Sequence, residues 1–328
     1  MFHVQSPLIK IDSLSNKNGI QRNVYFKLEN LQPSGSFKIR GIGHMIQTIV
    51  NEGNLKKLIS TSGGNAGLAV ATVARELNIP VDVFVPITTK PVTIQKLEAL
   101  GARVFVGGAN WNETDSIGRK FNDEVNGIFY VPPFDHPLLW EGHASLVEEI
   151  HSSGVKPDAI VLSVGGGGLL CGVQRGLERV GWTDVQVIAV ETEGAASFAA
   201  GKAAGMPVMI PSINTVAGSL GSRIVTEACI TSSITTKSLL VTDEEAVDAC
   251  VWFLDTHRFL VEPACGASIA SIVNSHRLDS VLAPSAINIV VVVCGGSNIS
   301  FALLNRLVSQ FKEQSKESSV SDSSASLT

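Results

Sequence analysis

One three-part pattern recurs along this chain: an apolar, β-branched run, then a glycine-rich turn, then a segment with helical periodicity. It occurs in DAIVLSVGGGGLLCGVQRGLERVGW (158–182) and in INIVVVVCGGSNISFALLNRLVSQF (287–311). KLISTSGGNAGLAVATVARELN (57–78) follows the same scheme. Strands that are apolar on both faces must be covered by helices on both sides. The pattern therefore predicts an α/β fold with parallel-rich twisted sheets flanked by helices.

Length and charge exclude several classes of protein. The 328 residues suffice for two lobes with a cleft between them. A net charge of -5 gives no basic surface for nucleic acid or for an anionic membrane. The longest apolar run, 287–293, has the length of a strand, whereas a membrane span needs about 20 residues. A protein without nucleic-acid or membrane partners is expected.

Cysteine usage and the N-terminus bear on the compartment. The five cysteines are odd in number, widely scattered and without a CxxC pair, which argues against a disulfide framework or a zinc knuckle. The N-terminal MFHVQSPLIK lacks a basic segment followed by an apolar one, so secretion is not expected. These features predict a reducing compartment, most simply the cytoplasm.

Three glycine turns mark the expected ligand site: 62–67, 165–168 and 294–298. In open parallel sheets, ligands bind beyond the carboxyl ends of the strands, where turns of this kind lie. Two lobes built from such units would place these turns around one cleft.

The four successive glycines at 165–168 join a strand to a helix. Without Cβ atoms the backbone can approach an anion closely, and the N–H groups of a helix N-terminus favour phosphate. The alternative is a tight connection that needs glycine only for packing. A dinucleotide-binding turn is a second alternative, and Glu191 resembles its ribose-binding acid. However, that turn requires the spacing G-x-G-x-x-G, and its third glycine position, counted from Gly165 or Gly166, is occupied by Leu170 or Cys171.

The other two turns have structural as well as functional interpretations. The hydroxyl, amide and N–H groups of Ser62–Gly67 suit a carboxylate or a phosphate, and the alternative is a helix N-cap by Ser62 or Asn65. Cys294 on its own is typical of inert packing. Ser297 and Asn298 are candidates for capping the last helix. His143 is interpreted as a structural histidine near a helix start.

Lys38 is the unusual residue in PSGSFKIRG (33–41), because it stands between Phe37 and Ile39. A lysine held by apolar neighbours loses hydration, which lowers its pKa and frees a nucleophilic amine. Such an amine condenses with carbonyl groups. Together with a phosphate cup, this suggests pyridoxal phosphate, an aldehyde that carries a phosphate. The alternative is a lysine on a surface helix whose ammonium reaches solvent.

Several segments together resemble one family. They are PSGSFKIRGIGH, TSGGNAG, PPFDHPLLWEGHAS, LSVGGGGLLCG, LVEPACGAS and VVVCGGSNIS. In this order they resemble the L-serine dehydratases among the fold type II pyridoxal-phosphate enzymes, from about Val4 to the serine-rich tail. The resemblance implies pyridoxal phosphate, dehydration of L-serine to pyruvate and ammonia, and secondary conversion of L-threonine to 2-oxobutanoate. A serine racemase or a low-activity pyridoxal-phosphate-binding homologue is the alternative; an NAD-dependent oxidoreductase is a remote one.

The resemblance also implies roles for individual residues. Lys38 would bond covalently to the cofactor, Phe37 would pack on its ring and Cys294 would face its pyridine nitrogen. Asn65 would bind the ring oxygen. The phosphate would be bound by Gly165, Gly166, Gly167, Gly168 and Leu169. The substrate carboxylate would be bound by Ser62, Gly63, Asn65 and Ala66. A potassium ion would be bound by Gly165, Glu191, Ala195, Leu220 and Ser222.

The domain division is likewise implied by the resemblance. A large domain would comprise 1–34 and 136–315, with a small domain, 35–135, inserted in it, and the protein would be a homodimer. The serine-rich composition of 316–328 predicts a disordered tail. Two residues depart from the family pattern. Gly63 replaces the alanine of the liver-type enzyme, which loosens the substrate pocket, and Ser219 stands where alanine is frequent.

Overall fold

The computed structural model describes residues 1–14, 22–273 and 275–325, and its strands form two sheets. In chain order the strands are β1 (Leu8–Lys10), β2 (Asn23–Leu28), β3 (Lys57–Ser60), β4 (Val81–Val85), β5 (Arg103–Val106), β6 (Ile128–Tyr130), β7 (Ala159–Ser163), β8 (Gln186–Thr192), β9 (Thr236–Val241) and β10 (Asn288–Val293).

Helices cover both sheets. In chain order they are α1 (Lys38–Asn51), α2 (Asn65–Leu77), α3 (Pro91–Ala99), α4 (Trp111–Arg119), α5 (Pro137–Ser152), α6 (Gly168–Arg179), α7 (Ser197–Ala204), α8 (Ala228–Thr231), α9 (Asp243–His257), α10 (Pro263–Val273), α11 (Ser275–Asp279) and α12 (Phe301–Ala325).

The larger sheet has the strand order β1-β2-β10-β7-β8-β9 over the described ranges. β1 runs antiparallel to β2, and the remaining neighbours are parallel. All side chains from Ile289 to Val293 in β10 are fully buried. This is expected of a central parallel strand with helices on both faces, and it explains why the strand is apolar throughout.

The smaller sheet has the order β5-β4-β3-β6, and its described strands are all parallel. Asp82 in the buried strand β4 is paired with Lys57 at 3.0 Å and with Arg103 at 2.8 Å. These cations lie on the two adjacent strands, so the charged side chain also joins β3, β4 and β5. The residues 57–130 that form this sheet fall between the two parts of the chain that form the larger sheet.

The predicted fold class is confirmed: both sheets are parallel-rich and flanked by helices. The distribution of strands matches an insertion of the small domain into the large one. The exact boundaries, 1–34 with 136–315 and 35–135, stay predictions.

The last helix, α12, extends into the serine-rich segment. Its backbone is helical to Ala325, and residues 326–328 lie outside the described residues. The disordered tail expected at 316–328 stays a prediction.

Each of the five cysteines is buried and carries a free thiol. Among the described residues, no helix has the length and apolar character needed to cross a bilayer.

Candidate active site

The carboxyl ends of β7 and β10 define one edge of the larger sheet. The two strands are parallel neighbours, so the glycine run after Ser163 and the thiol of Cys294 emerge side by side. They border one cleft. Every residue predicted to bind the cofactor lines this cleft: Phe37, Lys38, Asn65, Gly165, Gly166, Gly167, Gly168, Leu169 and Cys294.

The glycine run forms a cup because side chains have no room there. A Cβ on Gly166 would lie 2.4 Å from the Phe134 ring, and one on Gly168 would lie 2.6 Å from the Phe134 carbonyl oxygen. Gly167 has a φ of +93°, which favours glycine, and it is the N-cap of α6. Backbone N–H groups at the N-terminus of a helix are suited to phosphate. The next two residues, Leu169 and Leu170, are buried and line the same cleft.

Lys38 is the first residue of α1 and is half-buried at the cleft. Its Nζ donates a hydrogen bond to the Pro133 carbonyl at 2.6 Å. Burial lowers the pKa of this amine from 10.5 to about 8, and nearby Cys294 and Glu262 act in the opposite direction. The surface-helix alternative is wrong, because the amine is held inside the site with a much larger neutral fraction than an ordinary lysine.

Two features fix the start of α1. The N–H of Phe37 donates to the Cys294 carbonyl at 3.2 Å, which joins the lysine turn directly to the end of β10. Arg40, two residues after Lys38, is fully buried and pairs with Glu29 and Glu149, each at 2.7 Å. Removing one partner of a buried ion pair leaves an uncompensated charge, so this cluster holds α1 in place.

These groups fit pyridoxal phosphate. The cup supplies donors for a phosphate, and the amine of Lys38, at the same cleft, can react with an aldehyde. The dinucleotide alternative fails on geometry. Both carboxylate oxygens of Glu191 accept N–H groups at the start of α7, from Phe198 at 2.7 Å and Ala199 at 2.8 Å, so they are not directed at a ribose.

The turn before α2 is not capped as the structural interpretation supposed. The N-cap is Gly64, and no side chain caps the helix. Ser62 Oγ accepts the Gly64 N–H at 3.2 Å. Asn65 instead crosses the cleft to Ser297 and Glu262. Because the first N–H groups of a helix lack intrahelical acceptors, this end of α2 retains donors suited to a carboxylate.

The expected capping of the last helix is also wrong. Ser300 Oγ accepts the Leu303 N–H at 3.2 Å in the first turn of α12. Asn298 donates its backbone N–H to Glu262 at 3.1 Å. The turn 294–298 therefore belongs to the site.

Of the predicted substrate residues, Asn65 lines the cleft, whereas Ser62, Gly63 and Ala66 lie beside it at the start of α2. Their roles stay predictions. His143 is buried within α5, and its ring meets the Phe37 ring edge-on at 5.0 Å. Burial lowers its pKa well below 6.5, so it is a neutral support for Phe37, as a structural histidine would be.

Of the predicted cation residues, Gly165 and Leu220 lie next to each other at the cup. A Cβ on Gly165 would be 3.1 Å from Leu220 Cα, so these two backbones are adjacent. Ala195 is buried after β8, and Ser222 Oγ donates to the Ile224 carbonyl at 2.6 Å. No cluster of three or more His, Cys, Asp or Glu side chains suited to a metal occurs in the described ranges. A cation site built on backbone carbonyl oxygens does not need such a cluster, and the predicted potassium site stays a prediction.

The cleft-lining residues that were missed as candidates include Glu262 and Cys265. Glu262 is only 4% exposed, and burial raises its pKa above the usual 4.5. Its sequence signal is an acid within LVEPACGAS, directly after an apolar pair and before the proline that opens α10. Buried acids are rare unless they are paired or hydrogen-bonded, so this position carried information.

The pKa of Lys38 predicts how the apoprotein takes up its cofactor. Only the neutral amine attacks an aldehyde, and with a pKa of about 8 half of Lys38 is neutral at about pH 8. We expect the uptake rate to rise with pH through a midpoint near 8 and then to level off. Stopped-flow absorbance after mixing apoprotein with pyridoxal phosphate measures this rate. A midpoint near 10.5 would show that the amine is not desolvated.

Comparison with known proteins agrees with this site. A family model described as pyridoxal-phosphate dependent enzyme matches residues 1–295. The human protein named L-serine dehydratase/L-threonine deaminase is 44% identical over 315 residues, covering 94% of this chain and 95% of that protein. The human protein named serine dehydratase-like is 45% identical over 313 residues, covering 93% and 94%.

A solved structure gives the same result. The fungal L-serine ammonia-lyase from Rhizomucor miehei matches with a TM-score of 0.85 and 35% sequence identity, covering 93% of this chain and 98% of that one. The resemblance found in the sequence motifs is thus confirmed in sequence and in fold, and the cofactor is pyridoxal phosphate. This chain belongs to the family of pyridoxal-phosphate dependent enzymes.

Proposed function

We propose that the protein dehydrates L-serine to an enamine whose hydrolysis gives pyruvate and ammonia, and that it converts L-threonine to 2-oxobutanoate as a secondary activity. The observation that carries the proposal is the presence of the Lys38 amine, the glycine cup and the N-terminus of α2 around one cleft. Relatives named for these activities, similar over more than nine-tenths of the chain, support it.

Pyridoxal phosphate supplies an aldehyde and a conjugated ring that accepts electrons from the α-carbon of an amino acid. The protein supplies position. The glycine cup holds the phosphate, and the N–H groups at the start of α2 bind the substrate carboxylate. With both ends held, the α-hydrogen is directed to Lys38.

Lys38 Nζ then acts as the base. Its lowered pKa of about 8 leaves a useful fraction neutral near physiological pH, which is what removal of a proton requires. The α-proton passes to Nζ, and the β-hydroxyl takes up one proton and leaves as water, so that no proton is gained or lost overall. The released enamine then takes up water to yield pyruvate and ammonia. The thiol of Cys294, a weak hydrogen-bond donor, lines the same cleft as this base.

The proposal is tested on the purified holoprotein. Its visible spectrum is recorded first, and then L-serine and L-threonine are added separately while 2-oxo acids and ammonia are measured. Equal amounts of pyruvate and ammonia from L-serine support the proposal. Chiral analysis of the remaining serine tests the racemase alternative. D-serine formed without pyruvate, or a bound cofactor with no turnover, would contradict the proposed activity.

Gly63 allows a direct test of substrate preference. A Cβ at this position would lie 3.2 Å from Val85 Cγ1 and 3.4 Å from Thr89 Cγ2, so a methyl group fits with small adjustments. We expect Gly63→Ala to narrow the pocket, raise serine turnover and lower the threonine-to-serine ratio of kcat/KM about tenfold. Gly107→Ala, whose methyl group would meet nothing within 4 Å, is the matched control. An unchanged ratio would refute the loosened pocket.

A potassium ion behind the cup is part of the same proposal. Glu191 is fully buried, and burial raises its pKa to about 7. A monovalent cation beside this carboxylate would offset the cost of burying its charge. Carbonyl oxygens near Gly165 and Leu220 are ligands of the kind that such an ion prefers. The cation would support the cup from behind.

The oligomeric state and the compartment are also part of the proposal. Met206 and Met209 expose 60% and 59% of their surface, which gives a second copy of the chain apolar area to cover in a homodimer. Five unpaired thiols support a reducing compartment such as the cytoplasm.

A further inference from the structure

Glu262 is a buried carboxylate at the cofactor cleft that the chemistry above does not use. It immediately precedes α10 and is 4% exposed. The backbone closes tightly over it: a Cβ on Gly296 would lie 2.0 Å from its carboxyl carbon, and Gly296 has a φ of +117°. This close contact with the Gly296 backbone restricts the orientation of the Glu262 carboxylate.

Both oxygens accept hydrogen bonds from neighbouring turns. Oε1 accepts from Asn65 Nδ2 at 2.8 Å, and Oε2 accepts from the Asn298 N–H at 3.1 Å. Each of these partners is a donor, so the arrangement requires a group that only accepts. An ionised carboxylate meets this requirement. Burial raises the pKa of Glu262, but the hydrogen bonds from its donors and the nearby charge of Lys38 favour the ionised form. A carboxamide of the same shape would oppose an N–H group with another N–H.

The same contacts fix the orientation of the Asn65 amide. Its Oδ1 accepts from the backbone N–H of Ser297 at 2.9 Å, and a backbone N–H can only donate. Nδ2 must therefore face Glu262, and a flipped amide would break both bonds. Because Ser297 and Glu262 hold opposite ends of the amide, its plane and its direction are both determined.

One hydrogen of Nδ2 remains for the cleft. The first is used by Glu262, and the other contact of Nδ2 in the described part of the chain is a long one, 3.5 Å to Ser219 Oγ. Ser219 Oγ has two lone pairs and also accepts from Asn298 Nδ2 at 3.1 Å. Because Ser219 lines the cleft, the second N–H of Asn65 points into the cleft, and its long contact with Ser219 leaves it available to an oxygen acceptor on the cofactor ring.

We propose that Glu262 is a positioning residue for the cofactor: it orients the Asn65 amide so that one N–H is presented to the oxygen on the pyridoxal ring. It acts through Asn65 and does not touch the reacting atoms. The inference rests on the cofactor of the proposed function but not on which amino acid is converted. A charged acceptor strengthens the bond to Asn65, and burial in the protein interior makes the loss of that bond costly.

A double-mutant cycle on cofactor affinity tests the proposal. Apoprotein variants Glu262→Gln, Asn65→Ala and the double variant are titrated with pyridoxal phosphate, and the dissociation constant is read from visible absorbance. We expect Glu262→Gln to weaken binding about tenfold and Asn65→Ala to weaken it at least as much. The double variant should match Asn65→Ala within about twofold. Glu76→Gln, an exposed site on α2, is the control and should bind as the wild type does.

Two results would overturn the proposal. One is wild-type affinity in Glu262→Gln. The other is a double variant whose loss equals the product of the single losses, because then Glu262 acts independently of Asn65. Circular dichroism reports whether each variant folds. If Glu262→Gln does not fold, the same cycle is carried out with Glu262→Asp. Aspartate keeps the charge but withdraws it by one methylene, so Glu262→Asp should also weaken cofactor binding, and this loss should again disappear when Asn65 is alanine.

The cycle is independent of turnover. Wild-type protein that binds pyridoxal phosphate at Lys38 without converting L-serine would contradict the proposed function, while the cycle would still decide the role of Glu262. Conversely, full serine turnover with multiplicative affinity losses would leave the function intact and reject the inference.

Discussion

Lys38→Ala protein is expected to lack the visible absorbance of the covalently bound cofactor and to convert L-serine at least about a thousandfold more slowly than the wild type. Alanine removes the amine that bonds to the aldehyde and the base that takes the α-proton, and a positioned base alone contributes about 10²- to 10⁴-fold. The glycine cup is untouched, so the variant should still bind the cofactor non-covalently. Absorbance spectra and steady-state pyruvate formation measure the two effects.

The control for this variant keeps the charge. Lys38→Arg retains a cation at the start of α1 but supplies no nucleophilic amine, because the guanidinium stays protonated. It should be as inactive as the alanine variant. Appreciable serine turnover in either variant, with the cofactor absorbance retained, would show that another residue carries the chemistry.

Gly168→Ala is expected to weaken pyridoxal phosphate binding at least about tenfold. The new methyl group would lie 2.6 Å from the backbone oxygen of Phe134, and backbone can yield only if the cup or the 133–134 turn moves. Gly168 is the first residue of α6, so any displacement shifts the N–H groups that face the phosphate. Since Trp140 Nε1 also donates to the same Phe134 oxygen at 2.9 Å, the turn has little freedom to retreat.

Gly107→Ala is again the matched control, because its methyl group would enter open space outside the cleft. Its dissociation constant for the cofactor should equal that of the wild type. If the Gly168 variant also bound with wild-type affinity, the four glycines would be a packing feature of a strand-to-helix connection rather than a phosphate cup.

The fold could be predicted from local pattern because its strands are strongly marked. β7 and β10 are apolar at nearly every position and end at glycine turns, so strand direction, burial and the site-bearing edge all followed from the chain itself. The glycine cup was equally visible, since four successive glycines have few structural uses. Both features depend on residues close together in sequence.

The polar contacts of the site could not be predicted in this way. Asn65 and Glu262 are 197 residues apart, and no local signal pairs them. Capping of α2 by Asn65 was a reasonable local expectation, but the tertiary bonds to Glu262 and Ser297 compete for the same side chain and prevail. The buried acid itself was visible in the sequence; its partner was not.

Reduction of the holoprotein with borohydride, followed by peptide mapping, tests the central claim most directly. The account predicts a single modified peptide, with the cofactor attached to Lys38 in close to one equivalent per chain. Attachment to a different lysine, or no attachment in cofactor-saturated protein, would contradict it.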